Sequence, residues 1–224
     1  MRLNIAIDGP SAAGKSTIAK RLAKKMNYIH LDTGAMYRCI AYKALQENID
    51  LQDEENISKM IDRTAIRLTA QGQVFLDEKE MKDLIRTNEV SMATSKVSQL
   101  KTVREKLVER QQKMAEDKGV IMDGRDIGTV VLPNAEVKIF LTASAEARAQ
   151  RRYDENVSKG ISSDYEQLVR EIAQRDKQDT ERKNSPLRKA DDAVCVDSSN
   201  MSIDEVVETI EALVEKTMKE ELDD

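Results

Sequence analysis

A nine-residue stretch near the N-terminus constrains this chain more than any other feature. Residues 9–17 read GPSAAGKST and fit the spacing G-x-x-x-x-G-K-[ST] of a phosphate-binding loop. The apolar residues 3–7 before it are typical of a short buried strand, and apolar residues recur at helical spacing after Lys15. A strand, a glycine-containing loop and a helix, in this order, are the context in which such a loop binds a nucleoside triphosphate.

The residue types of this loop suit phosphate. Glycine lets the backbone approach an oxyanion closely, and successive N–H groups at the start of a helix then point at it. We expect Lys15 to reach the outer phosphates of ATP and the Ser16 hydroxyl to bind Mg²⁺. The predicted ATP-binding residues are Gly9, Pro10, Ser11, Ala12, Ala13, Gly14, Lys15, Ser16 and Thr17.

Composition argues against several classes of protein. The 224 residues are enough for one large α/β domain, and the net charge of −5 provides no general basic field for nucleic acid or a membrane surface. The chain contains no apolar run of about 18 residues. Cys39 and Cys195 flank no metal-binding motif, so we expect two buried free thiols in a reducing compartment. We therefore predict a cytoplasmic monomer that binds neither nucleic acid nor membrane.

Short apolar segments alternate with helical patterns along most of the chain, which predicts a parallel sheet. The expected strands are residues 3–7, 28–31, 120–123, 137–141 and 194–196. Residues 65–85 interrupt this alternation and predict a small hairpin in an inserted subdomain. The polar break at 159–163 is a candidate flexible lid.

Arginines lie where such a fold places its ligand. Arg38 and Arg125 follow the second and third predicted strands, and ligands of parallel sheets bind beyond the carboxyl ends of strands. A guanidinium binds two phosphate oxygens at once and keeps its charge. Two further groups each share one helix face: Arg148, Arg151 and Arg152, and then Arg175, Asp179 and Arg182. Either helical group alone fits a solvated ion-pair surface equally well.

Several arginines and a phosphate loop together favour phosphoryl transfer between two bound anions. Such catalysis depends on alignment and charge stabilisation rather than on covalent chemistry. An acceptor that is itself a phosphate needs no general base, since its oxygen is already largely ionised at neutral pH. This agrees with a chain whose single histidine, His30, we expect to be structural.

Five stretches carry a family resemblance: IAIDGPSAAGKST, LDTGAMYR, DGRDIGTVVLP, VKIFL and QRDKQDTERKNSPL. They resemble bacterial cytidylate kinases, and the resemblance extends from the first strand to the last helix. The resemblance implies an α/β P-loop kinase, a three-layer sandwich with a five-stranded parallel sheet. It implies a core at 1–33, 101–152 and 164–224, an inserted monophosphate-binding region at 34–100 and a short lid at 153–163. The implied reaction transfers the γ-phosphate of ATP to CMP or dCMP, giving CDP or dCDP and ADP, with Mg²⁺.

The same resemblance implies residue roles. Arg38 and Arg125 would hold the acceptor phosphate, and Asp179 with its neighbours would meet the sugar. Ser95, Arg104 and Asp126 would read cytosine, because a carboxylate accepts from its exocyclic amino group while a guanidinium donates to its ring acceptors. The implied substrate-binding residues are Thr33, Tyr37, Arg38, Ser95, Arg104, Asp123, Gly124, Arg125, Asp126, Arg175, Asp179 and Arg182. The implied catalytic residues are Lys15, Arg125, Arg148, Arg152, Arg175 and Arg182.

Three alternatives share the loop. A kinase of another small acceptor, such as another nucleoside monophosphate, shikimate or a sugar acid, would not need the cytosine-facing residues. A GTP-binding switch would carry an N-K-x-D or T-K-x-D motif, which this sequence lacks. An ATP-dependent assembly module gives no reason for arginines at two strand ends.

Overall fold

The computed structural model describes residues 2–69 and 72–223. In chain order its elements are β1 (Ile5–Asp8), α1 (Lys15–Met26), β2 (Ile29–Asp32), α2 (Thr33–Gln46), α3 (Glu54–Asp62), β3 (Ile66–Leu68), β4 (Val74–Leu76), β5 (Lys79–Glu80), a 3-10 helix (Lys82–Arg86), α4 (Asn88–Val97), α5 (Lys101–Met114), β6 (Val120–Gly124), a π-helical turn (Ile127–Val131), β7 (Val137–Thr142), α6 (Ala145–Ser158), α7 (Tyr165–Glu181), β8 (Val194–Asp197) and α8 (Ile203–Asp223).

The main sheet has five strands in the order β2-β6-β1-β7-β8, and every neighbouring pair is parallel. Each strand was predicted from its apolar run, with ends that differ from the observed ones by at most two residues. The predicted five-stranded parallel sheet is therefore confirmed. The central strand, β1, leads directly into the phosphate loop, residues 9–17.

Helices cover both faces of this sheet. Ile5 and Ile7 of β1 pack in one cluster with Ile18 of α1 and Ile210 of α8, all fully or almost fully buried. Ala6 points the other way and packs in a second cluster with residues of β6 and of the π-helical turn. Alternate side chains of β1 thus pack into hydrophobic cores on opposite faces of the sheet, which gives the predicted three-layer sandwich.

The segment between β2 and β6 has its own hydrophobic core. The buried side chains of this core come from α2, α3, α4, α5 and the antiparallel β3-β4-β5 sheet. The predicted hairpin corresponds to β3 and β4, while the two-residue β5 carries no recognisable pattern. Leu107 of α5 packs in this core and Val108 packs against the main-sheet cluster, so α5 joins the two.

Two smaller features bear on the sequence-based expectations. Cys39 is buried as expected, but Cys195 is exposed, because it lies on β8 at the edge of the main sheet. Tyr153 to Ser158 of the expected lid continue α6, and only the residues after them leave the helix. Among the residues described, no helix combines the length and apolar character that crossing a membrane requires.

Candidate active site

The phosphate loop has the backbone that an anion site requires. A Cβ at Gly9 would overlap the carbonyl oxygen of Leu141, so only glycine allows β7 to approach this closely. Ala12 and Gly14 have positive φ angles of 60° and 93°, which turn the chain around the loop. The first turn of α1 has no side-chain cap, so its N–H groups remain available to phosphate oxygens.

Lys15 lies within the curve of the loop. Its Nζ donates to the carbonyl oxygen of Pro10 at 2.7 Å, and the side chain is buried. Burial lowers the pKa of Lys15 well below its usual value, and the nearby Arg125 guanidinium lowers it further. Asp123 and Asp8 act in the opposite direction. An additional anion at this position would stabilise the charged lysine.

Helix α6 supports the loop from the side. Arg148 donates to the carbonyl oxygen of Ser11 at 3.2 Å and is held by Asp176 through two hydrogen bonds of 2.9 and 2.6 Å. Arg151 donates to the Ala13 carbonyl oxygen at 3.4 Å. These contacts give both arginines a bracing role at the loop. The implied catalytic role of Arg148 stays a prediction, and two of its guanidinium nitrogens are already bonded to Asp176.

Asp123, at the end of β6, joins the loop to the neighbouring strand. One carboxylate oxygen accepts from the Ser16 hydroxyl at 2.7 Å, and the other lies 2.6 Å from Nε2 of His30. Burial alone would raise the pKa of Asp123, but the hydrogen bond from His30 and the charge of Lys15 hold it below its usual value. A hydroxyl beside an ionised carboxylate is an oxygen donor set that Mg²⁺ accepts, so these residues fit the metal. Thr33 donates its hydroxyl to the Asp123 carbonyl oxygen at 2.8 Å.

Asp8 has a structural function in this site. Its carboxylate accepts from the backbone N–H groups of Ile127 and Gly128 at 2.8 and 2.7 Å. It thereby fixes the π-helical turn that follows Asp126. Burial raises the pKa of Asp8 to about 6, although the two N–H bonds act to lower it. The turn itself was not predicted; π-helical turns are rare and often mark functional sites.

Five guanidinium groups lie close enough to influence one another and are here called the arginine cluster: Arg38, Arg86, Arg125, Arg152 and Arg175. Arg125 is paired with Asp179 at 2.7 Å. Within the described residues, neither Arg38 nor Arg175 is paired with a carboxylate. Burial lowers the pKa of Arg175 to about 10, and the adjacent Arg125 adds to this effect. The cluster therefore has more positive charge than its neighbours neutralise, which suits a bound anion.

Burial is also the largest cause of a lowered pKa at Arg38. Arg86, Arg152 and Arg125 lower it further, and Asp32 opposes them. Arg86 was not predicted from the sequence. It ends the 3-10 helix just before the helix-capping Thr87, and a single arginine in that place belongs to no motif. Arg152 is half-exposed and lies 3.6 Å from Glu155 of its own helix.

A polar pocket formed by Tyr37, Arg104, Asp126 and Arg182 adjoins the cluster. Asp126 is ion-paired with Arg104 and lies 3.7 Å from Arg182, and all three side chains are at least 93% buried. The Arg104 guanidinium stacks 5.4 Å from the centre of the Tyr37 ring.

Three polar atoms of this pocket have no hydrogen-bond partner in the part of the chain that the structure describes. They are the Tyr37 hydroxyl, Nε of Arg104 and one terminal nitrogen of Arg182. Buried polar groups are almost always satisfied, so these three donors are available to a polar ligand or to ordered water. Burial raises the pKa of Tyr37 to about 12, which keeps its hydroxyl protonated as a donor.

Most of the predicted site residues thus converge on one region. The structure brings together the loop, the ends of β1 and β6, α2, α5 and α7. Ser95 lies on α4, where its hydroxyl donates within the helix to the Ser91 carbonyl oxygen at 3.3 Å. Gly124 is close-packed, since a Cβ there would lie 2.8 Å from the Thr33 hydroxyl. Their contacts with a substrate stay predictions.

Comparison with known proteins agrees with this geometry. Residues 5–216 match the sequence model of the cytidylate kinase family. The chain is 56% identical to the cytidylate kinase of Bacillus subtilis (strain 168), over 96% of this chain and 97% of that protein. It is 52% identical to the cytidylate kinase of Bacillus cytotoxicus, over 97% and 98% of the two chains.

Among solved structures, a shikimate kinase from Bacteroides thetaiotaomicron superposes with a TM-score of 0.50 at 13% identity. The superposition covers 96% of this chain and 99% of that one. This likeness concerns the fold alone and confirms the predicted P-loop kinase architecture. The sequence matches identify the family: the chain belongs to the cytidylate kinases.

Proposed function

We propose that this protein transfers the γ-phosphate of ATP to CMP or dCMP and releases ADP with CDP or dCDP. One observation carries the proposal: a buried pocket with a carboxylate and unsatisfied donors adjoins an arginine cluster that faces a phosphate loop. The pocket suits a cytosine, the cluster suits the phosphate attached to it, and the loop suits the donor. Arg125, which influences Lys15 and pairs with Asp179, links the loop to the cluster, and this supports in-line transfer between them.

The phosphate loop and Lys15 hold the donor. The uncapped N–H groups of α1 bind the phosphate oxygens, and Lys15 exchanges its bond to Pro10 for one to the outer phosphates. Ser16, with Asp123 hydrogen-bonded to it, would hold Mg²⁺. When bound, the metal neutralises charge on the phosphate oxygens.

The arginine cluster holds the acceptor phosphate. Arg38 and Arg175 have no carboxylate partner in the described residues, so a phosphate supplies the missing negative charge. Arg125 influences Lys15 and is paired with Asp179, so its positive charge acts on both the donor and the acceptor phosphates. Arg148, Arg152 and Arg182 complete the proposed catalytic group by spreading positive charge around the moving phosphoryl group.

The polar pocket selects the base. Asp126 accepts from the exocyclic amino group of cytosine, and the free donor of Arg104 binds its ring acceptors. Uracil presents a carbonyl oxygen at the same position, which would face a buried carboxylate. A site of this kind rejects the mismatched analogue by on the order of 10⁴-fold. We propose that Ser95 contacts the base and Asp179 the sugar. Thr33 and Gly124 are proposed as further contacts of the same acceptor.

The experiment that tests this function compares acceptors. Initial rates are measured with ATP and Mg²⁺ and one of CMP, dCMP, UMP, AMP, shikimate or gluconate. The proposal requires the highest kcat/KM with CMP or dCMP. Equal or higher values with shikimate or a sugar acid would favour the alternative acceptor class, in which Asp126 has no amino group to bind.

We further propose that the protein acts as a cytoplasmic monomer that binds neither nucleic acid nor membrane. One chain can supply all the side chains of the proposed site. The net charge of −5 disfavours a polyanionic partner. Light scattering after size exclusion, with and without ATP and CMP, tests the oligomeric state.

A further inference from the structure

His30 is a buried polar residue that the proposed reaction does not use. It lies on β2, at the edge of the main sheet, and its side chain is only 3% exposed. Its Nε2 is 2.6 Å from Oδ1 of Asp123, while Oδ2 of the same carboxylate accepts from the Ser16 hydroxyl at 2.7 Å. His30 thus contacts Asp123, which in turn contacts Ser16, the residue that is proposed to hold Mg²⁺.

The direction of this hydrogen bond follows from its partners. An ionised carboxylate only accepts, so Nε2 carries the proton and donates to Asp123. The other ring nitrogen, Nδ1, is buried and has no partner within residues 2–69 and 72–223. The bond to Asp123 is therefore the main polar contact that holds the ring.

The inserted region covers His30 on its other side. The ring lines a cavity of about 10 Å³ with Asp32, Arg86 and residues of the β3–β4 hairpin. The His30 and Asp123 side chains are only 3% and 5% exposed, so bulk solvent does not compete with His30 for Asp123. The orientation of the carboxylate therefore depends on the imidazole.

We propose that His30 is a positioning residue for the Mg²⁺ site. By occupying Oδ1, it directs Oδ2 of Asp123 toward Ser16 and the metal. Without this donor, a buried carboxylate oxygen would be unpaired and the carboxylate would turn to find another partner. Groups that orient the residues around a metal typically contribute 10- to 100-fold to metal affinity or activity.

Two substitutions of similar chemistry test the proposal. In His30→Gln the amide nitrogen lies near the position of Nε2 and can donate to Asp123, whereas in His30→Asn the shorter side chain cannot reach it. ATP binding to the full chain is measured by calorimetry at increasing Mg²⁺ concentration, without an acceptor, and again with the metal chelated. We expect His30→Asn to need about 10- to 100-fold more Mg²⁺ for half-maximal binding, with His30→Gln close to wild type. Metal-free ATP binding should be the same in all three proteins.

Equal behaviour of the two variants, or equal losses with and without Mg²⁺, would overturn the proposal, because packing alone would then explain the histidine. A second measurement is independent of how well the variants fold. The chain has one histidine, so a long-range ¹H–¹⁵N spectrum of the wild type assigns its tautomer directly. A proton on Nδ1 rather than Nε2 would also overturn it. The role of His30 rests on the proposed function only in that the protein binds ATP with Mg²⁺. The binding experiment contains no acceptor, so failure to phosphorylate CMP would refute the proposed function and leave this test unaffected.

Discussion

Asp126 is a buried carboxylate between two guanidinium groups, and its charge gives it a role that an amide cannot fill. In Asp126→Asn the side chain keeps its size but gains donors that can face the carbonyl oxygen of uracil. We expect the ratio of kcat/KM for CMP to that for UMP to fall by at least about tenfold, out of a discrimination on the order of 10⁴. The KM for ATP is the internal control and should change little. An unchanged ratio would remove Asp126 from base selection.

Lys15 is the residue whose loss should reduce turnover most. Lys15→Met keeps the length of the side chain and removes the charge that faces the transferred phosphate. We expect kcat to fall by on the order of 10² to 10³, as for other groups that stabilise charge in the transition state. Circular dichroism and thermal unfolding check that the variant is folded. Near-normal kcat in a folded variant would contradict the proposed donor site.

At the level of residues, motifs predicted which side chains meet and missed those that hold them in place. The loop and the arginines after two strands have recognisable spacing, and they converge as expected. Arg86, Asp176 and the bond between His30 and Asp123 have no such signature. Asp176 holds Arg148 by hydrogen bonds that depend on the packing of α6 against α7. No local sequence pattern predicts this pairing.

Among the elements, the π-helical turn depends on a carboxylate whose ionisation is unfavourable. The pKa of Asp8 is about 6 in the folded protein and 3.8 ordinarily, so the unfolded chain loses this proton first as pH rises. The contribution of Asp8 to stability is therefore complete below pH 3.8 and lost as pH rises to about 6. At roughly 1.4 kcal/mol per pH unit, the loss is about 3 kcal/mol.

Chemical unfolding of wild type and Asp8→Asn at several pH values tests this assignment. The free energy of unfolding of the wild type, relative to the variant, should decrease from pH 4 to pH 6 and then level off. The other carboxylates are common to both proteins and cancel in the difference. A difference that stays constant across this range would show that Asp8 is not the titrating group.

Helix α6 provides a second prediction at this scale. Asp176→Asn weakens the two hydrogen bonds to Arg148, whose guanidinium is then buried without its counter-charge. We expect a loss of about 1–3 kcal/mol in unfolding free energy and a higher KM for ATP, because Arg148 supports the Ser11 carbonyl of the loop. The KM for CMP should stay near its wild-type value. An equal rise in both KM values would indicate a general disturbance instead.

The elements that could be predicted are those whose apolar residues form a clear run or recur with a clear period in the sequence. The five strands of the main sheet are short apolar runs, and their order along the chain implied a parallel sheet. The π-helical turn was missed because its i to i+5 hydrogen bonds leave no distinct apolar spacing in the sequence. One of these bonds runs from the Val131 N–H to the backbone carbonyl oxygen of Asp126. The boundary at residue 100 was implied by the family resemblance and not by any local pattern, and α5, which follows it, packs on both cores.

Over the whole molecule, five separate segments bring like charges together in the arginine cluster. Arg38 comes from α2, Arg86 from the 3-10 helix, Arg125 directly follows β6, and Arg152 and Arg175 come from α6 and α7. Such repulsion destabilises the ligand-free protein and is relieved when an anion binds. Removal of one of these charges should therefore stabilise the free protein while weakening binding of the acceptor.

Arg38→Met tests this trade-off by thermal unfolding. Without ligand, we expect the variant to melt at the same temperature as wild type or higher. CMP at 100 times its Kd stabilises the wild type by about 2.7 kcal/mol and should stabilise the variant much less. Cytidine, which lacks the phosphate, is the matched control and should affect both proteins alike, and so should ATP. If CMP stabilised the variant as much as wild type, Arg38 would not hold the acceptor phosphate, and the excess charge would need another ligand to explain it.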